Sequence, residues 1–147
     1  MPYADDQFDM VVSRYVFEHV DDPDWMSREL LRITKPGGWI CATTPNSLGY
    51  IAIAARMVPN KLHVKALTRI QPDRKPEDVF PTFYSMNTRT ALKRWFGEKA
   101  EVHAYYASSE PHYHFNSPFI YSTFKFLHKV MPDRLQNTLF AYIHKNA

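Results

Sequence analysis

The stretch Phe8-Asp9-Met10-Val11-Val12-Ser13, then Asp22-Pro23, then Lys35-Pro36-Gly37-Gly38 running into Trp39-Ile40-Cys41-Ala42-Thr43-Thr44, decides the fold. A short apolar and β-branched run without alternation suits a strand buried on both faces, as in a parallel sheet. Asp22 is placed to cap free N–H groups, and Pro23 suits the first helical position. Met26, Leu30 and Ile33 recur at helical spacing, with Leu31 and Trp25 widening the apolar stripe. Lys35-Pro36-Gly37-Gly38 ends the helix, since proline cannot continue the ladder and glycine accepts left-handed dihedrals. The second apolar run, Trp39 to Thr44, stops at Pro45-Asn46. Strand, helix and strand with short connections predict a right-handed parallel crossover.

Outward from that unit the pattern loosens. Leu48 to Val58 reads as an apolar helix, and Pro59, Pro72, Pro76 and Pro81 break the chain after it into loops. Asn87 is a candidate cap for a helix from Thr88 to Phe96, with Ala91, Leu92, Trp95 and Phe96 inward and Gly97 closing it. Glu101 to Tyr106 reads as a strand, Phe119 to Met131 as an amphipathic helix, and Leu139 to His144 as a final strand. The chain divides into a core unit at 1–46, an insertion at 47–87 and a C-terminal unit at 88–147, all within one domain.

Composition narrows the function classes. With 147 residues there is room for one sizeable core. Hydrophobic residues at 45% and charged residues at 22% are the balance of a soluble globular protein. No uncharged apolar run approaches the ~20 residues that span a bilayer, and the first residues lack the pattern of a signal peptide. Cys41 is the single cysteine, so no internal disulfide and no thiolate metal site are expected, and a cytoplasmic setting follows as the default. The net charge of +3 comes without the dense basic stripe of a nucleic-acid binder.

Tyr3-Ala4-Asp5-Asp6-Gln7-Phe8-Asp9-Met10-Val11-Val12-Ser13, then Glu18-His19-Val20, then Leu30 through Lys35-Pro36-Gly37-Gly38, resembles the class I S-adenosylmethionine-dependent methyltransferases of the type 11-like kind. In that family these pieces are the fourth strand, the loop after it, the next helix and the approach to the fifth strand. The resemblance is specific to about Asn46 and looser beyond. It implies a Rossmann-like α/β fold, with the strands here being the fourth to seventh and the last one antiparallel beside the fifth. Thr44-Pro45-Asn46 and Phe80-Pro81-Thr82-Phe83-Tyr84 look like bacterial members acting on sugars or lipid-linked glycans.

The family's glycine-rich cofactor loop has no counterpart, because glycine occurs only at Gly37, Gly38, Gly49 and Gly97. The resemblance therefore implies a C-terminal portion of the domain, with a fourth strand left as an unpaired edge. Self-association, or complementation by a separate N-terminal half, is expected from such an edge.

The resemblance also places the methionine part of S-adenosylmethionine at the carboxyl end of the fourth strand, against Ser13, Arg14, Tyr15 and His19. Ligands of open parallel sheets sit beyond those strand ends on general grounds too. Each residue has a plainer reading: a strand-end turn for Ser13 and Arg14, packing for Tyr15 and Phe17, a helix-start hydrogen bond for His19. Asp5 and Asp6 suit an exposed acidic turn better than an adenine contact. Glu18 and His19 are adjacent and point apart, which argues against an acid–base dyad. His63 and the His112-Tyr113-His114 cluster are weak base candidates, and no catalytic residue is assigned. The Phe119–Met131 helix reads first as a core or cap element and second as a membrane-surface helix. The expected activity is methyl transfer, O-directed, to a small-molecule, glycan or lipid-linked acceptor. A non-catalytic interaction module is the alternative, and a nicotinamide-dependent dehydrogenase remnant lacks its own fingerprint.

Overall fold

A computed structural model describes residues 1–57, 81–108 and 117–147, with side chains for all of these but 54–57. Strand β1 is Phe8–Arg14, helix α1 Pro23–Ile33, strand β2 Thr34–Pro45 and helix α2 Tyr50–Met57. Helix α3 is Arg89–Phe96, strand β3 Ala100–Ala107, helix α4 Pro118–Val130 and strand β4 Thr138–Lys145. Short 3-10 turns stand at Phe17–His19 and Asp133–Leu135. His63 and the His112-Tyr113-His114 cluster lie outside the described residues.

The sheet order is β1-β2-β4-β3, with β1 parallel to β2 and β4 antiparallel to both β2 and β3. The last strand thus sits beside the second, as the resemblance implies, and β3 ends on the same side as β1 and β2. Ile40 and Ala42 of β2 and Leu139, Ala141 and Ile143 of β4 meet Leu30 and Leu31 of α1 and Leu92 and Phe96 of α3 in one buried cluster. Asp22 caps α1 as expected, its carboxylate accepting from the Trp25 N–H at 2.9 Å.

Several local expectations are corrected. β1 is not buried on both faces: among the described residues it is an edge strand, paired with β2 alone, and Met10 and Val12 are exposed. Trp25 points to solvent rather than widening the apolar stripe of α1. Lys35-Pro36-Gly37-Gly38 does not separate helix from strand but lies inside β2, whose register against β1 shifts between Phe8 and Met10 to absorb it. Gly37 takes φ +75° there, the left-handed region that a side chain disfavours. Thr88, not Asn87, caps α3, accepting from the Ala91 N–H at 3.0 Å. Helix α4 buries none of its residues, so it is not a core element.

Candidate functional site

The carboxyl ends of β1, β2 and β3 open on one side of the sheet, and the predicted residues fall there. Ser13 is half-buried on β1, and Arg14 ends the strand in solvent with its guanidinium 5.5 Å from the Tyr15 ring centroid. Tyr15 adds one more rung to the sheet, its N–H donating to the Thr43 carbonyl at 2.8 Å, and then turns the chain with φ +54°. A left-handed non-glycine residue at a strand end is a costly conformation of the kind that clusters at functional sites. Tyr15 is 48% exposed, so it is not the packing aromatic that Phe17, 1% exposed, is.

His19 stands on the far side of the 3-10 turn, with Nδ1 2.7 Å from the Pro81 carbonyl oxygen. A carbonyl only accepts, so Nδ1 carries the proton and the ring orientation is set. Glu18, one residue earlier, points the opposite way, into the protein. Its neighbourhood is held by the returning chain: the N–H groups of Phe83 and Tyr84 donate to the Glu18 carbonyl at 2.7 and 3.2 Å, and Ser85 Oγ donates to the Val20 carbonyl at 2.6 Å.

The best-defined chemistry at these strand ends was not singled out by the sequence. The Thr44 hydroxyl donates to Glu18 Oε2 at 2.9 Å and accepts from Asn87 Nδ2 at 2.7 Å. Asn87 Nδ2 also donates to the Pro45 carbonyl at 2.9 Å. All three side chains are buried. A single buried relay therefore ties the turn after β1, the end of β2 and the approach to α3. Asn46 adds a second tie, its Nδ2 donating to the carbonyls of Arg134 and Gln136 at 2.8 and 2.7 Å. The one signal available beforehand was polar residues, Thr44 and Asn46, closing an apolar strand.

The acidic turn before β1 is structural. Asp5 pairs with Arg32 at 2.6 Å and Asp6 with Lys145 at 2.7 Å. Lys35 donates to Asp9 and holds its carboxyl below the usual range. Alongside β1 an apolar groove of about 410 Å³ is lined by Val11, Ser13, Phe17, Met26 and Leu30 among others. Among the described residues no group of three or more His, Cys, Asp or Glu could hold a metal ion, and no helix is long and apolar enough to cross a membrane.

Comparison with known proteins places this architecture. Residues 1–42 match the family described as methyltransferase domain. An uncharacterized methyltransferase of Mycobacterium leprae is 48% identical over 40 residues, which are 27% of this chain and 15% of that protein. A Schizosaccharomyces pombe counterpart is 44% identical over 41 residues, 28% of this chain and 15% of its own length. The chain thus aligns with only a small part of the length of the curated relatives it matches.

Among solved structures, the methyltransferase in complex with the Haloferax volcanii Trm112 methyltransferase activator superposes at a TM-score of 0.57 and 15% identity, covering 100% of this chain and 57% of that one. A SAM-dependent methyltransferase of Thermotoga maritima gives 0.57 and 11%, covering 99% and 60%. These likenesses establish the fold. Residues 1–42 are thus similar to a methyltransferase domain, and the sheet as a whole has the fold of these solved methyltransferases.

Proposed function

We propose that this chain forms the carboxyl-end part of an S-adenosylmethionine-dependent methyltransferase site, directed to an oxygen of a small-molecule, glycan or lipid-linked acceptor. One observation carries the reading. The methyltransferase-domain match covers the strand whose end is turned at Tyr15 and buttressed by the Glu18–Thr44–Asn87 relay.

The residues at that end suit the amino-acid part of the cofactor: the Arg14 guanidinium for its carboxylate, Ser13 for hydrogen bonding, and Tyr15 and His19 framing the approach. None of the four glycines stands in a Gly-x-Gly loop, so the described residues account for one end of the cofactor. The bound cofactor supplies an electrophilic methyl group with a neutral thioether leaving group. The chain's part is to orient the reactants, an effect worth up to about 7–11 kcal/mol when attack is in line. A cytoplasmic setting belongs to the same reading and suits a chain with the lone thiol of Cys41.

The open edge of β1 favours a second reading, a non-catalytic module that self-associates or completes itself with another chain. Calorimetric titration with S-adenosylmethionine and S-adenosylhomocysteine separates the two. Micromolar binding that weakens in Arg14→Gln and Ser13→Ala supports the site. A folded sample with no heat at millimolar cofactor overturns it.

A further inference from the structure

Helix α4 has an unusual surface. Its sequence, Pro-Phe-Ile-Tyr-Ser-Thr-Phe-Lys-Phe-Leu-His-Lys-Val, contains no acidic residue. Ser117 and Pro118 start it cleanly, the serine hydroxyl accepting from the Ile120 N–H at 3.4 Å. One face docks the helix: Phe124 stacks on Tyr50 of α2 with centroids 6.1 Å apart, and His128 Nε2 lies 2.7 Å from the Tyr50 hydroxyl. Gln136 Nε2 donates to the His128 carbonyl at 2.8 Å.

The opposite face carries Phe119, Phe126 and Val130, which are 81%, 65% and 59% exposed. Their spacing of seven and four residues puts them in one row. Beside that row stand Lys125 and Lys129, both exposed and in no ion pair among the described residues. The Lys125 ammonium lies 5.7 Å from the Tyr121 ring centroid, which turns it along the helix flank.

Two large aromatic side chains held in water beside these ammonium groups, with no carboxylate in the helix to neutralise them, complement one kind of surface. An anionic bilayer offers acyl chains for the row and phosphate oxygens for the lysines, and a helix of this pattern lies in its interfacial plane. A second copy of the same face would bring lysine against lysine.

We infer that α4 is an interfacial helix that seats this protein on anionic phospholipid, with Phe119, Phe126 and Val130 inserted and Lys125 and Lys129 at the headgroups. The inference stands apart from methyl transfer, and its test uses no cofactor. The full chain is sedimented with vesicles of phosphatidylcholine alone, or of phosphatidylcholine and phosphatidylserine in equal parts, at low and high salt. Binding is expected to the mixed vesicles and to fall with salt. Phe126→Ser should weaken it about tenfold, from the loss of one buried aromatic anchor. Lys125→Gln with Lys129→Gln should weaken it by more than tenfold, at about fivefold per lysine.

Both sites are in solvent, so the variants keep the fold. Absence of binding to mixed vesicles overturns the inference, as does equal binding to neutral vesicles. Loss of an oligomer in Phe126→Ser by light scattering, without lipid, would mark the face as a protein contact and overturn it too.

Discussion

Thr44 Oγ1 lies 2.9 Å from Glu18 Oε2, and both residues are buried. The Thr44 hydroxyl has one proton, and it goes to the carboxylate, which cannot donate when ionised. The same oxygen accepts from Asn87, so donor and acceptor capacity are both used. Such a relay holds the turn after β1 at a fixed distance from the end of β2, where the proposed cofactor end would sit.

Thr44→Val keeps the shape at this position and removes the donor, leaving a buried carboxylate without its hydroxyl. A loss of about 1.5–3 kcal/mol in unfolding free energy is expected, the scale for a hydrogen bond to a charged group. Urea denaturation at unchanged m-value measures it. A shift below about 0.5 kcal/mol would mean that the relay contributes little to holding the strand ends together.

The two adjacent glycines in β2 should respond differently to alanine. At Gly37 a Cβ meets nothing, and the cost is that of a left-handed alanine, about 1 kcal/mol. At Gly38 a Cβ would stand 2.9 Å from the carbonyl oxygens of both Asp9 and Lys35 and 2.8 Å from Thr34 Cγ2. Both oxygens are backbone at the β1–β2 register shift, so the backbone there must move to admit it, at about 3 kcal/mol. Thermal midpoints of the two variants should rank Gly38→Ala below Gly37→Ala. The reverse order would contradict this packing of the register shift.

Acid should loosen the N-terminal corner before the core. Hydrogen bonds from Arg32 and from the terminal amine of Met1 hold the Glu29 carboxyl at about 2, against an ordinary 4.5. Its folded value is depressed, so its contribution is fully present above the ordinary value and is lost as pH falls through the window toward the folded one. Asp9, lowered by Lys35, has the same sign. Glu29→Gln should therefore flatten the fall of the unfolding midpoint with acid. An unchanged acid limb in that variant would rule Glu29 out as its source.

The opening unit was legible because its signals are local: an Asp-Pro start, a helical apolar period, and two apolar runs of strand length. The helix cap shows where locality fails. Asn87 and Thr88 both suit a cap, and only the tertiary structure decides, drawing Asn87 inward to Thr44 and Pro45. The relay was invisible for the same reason. Its members are 26 and 43 positions apart and leave no periodic trace. For α4 the period is real, but an amphipathic pattern reads the same whether the apolar row meets a core or solvent, and here it meets solvent. The proposed cofactor residues Ser13, Arg14, Tyr15 and His19 come from the resemblance, because a strand-end position and a left-handed turn leave no mark in a sequence pattern.

The open edge of β1 yields the sharpest outcome for self-association. Val12 is 72% exposed on a strand with a single neighbour among the described residues, so its outward backbone groups and apolar side chain together form a template for another strand. Natural edges are protected by a charge that another strand cannot cover without desolvating it. Val12→Lys adds such a charge on the solvent side and removes nothing from the core. Light scattering is expected to show association of the unaltered chain that rises with concentration, and its suppression in Val12→Lys at an unchanged thermal midpoint. Phe126→Ser should leave that association intact, because α4 packs on Tyr50 of α2 and is no part of the β1 strand edge. If the lysine variant associates as strongly as the parent, strand pairing at β1 is not the contact, and the second reading of the protein's role loses its structural support.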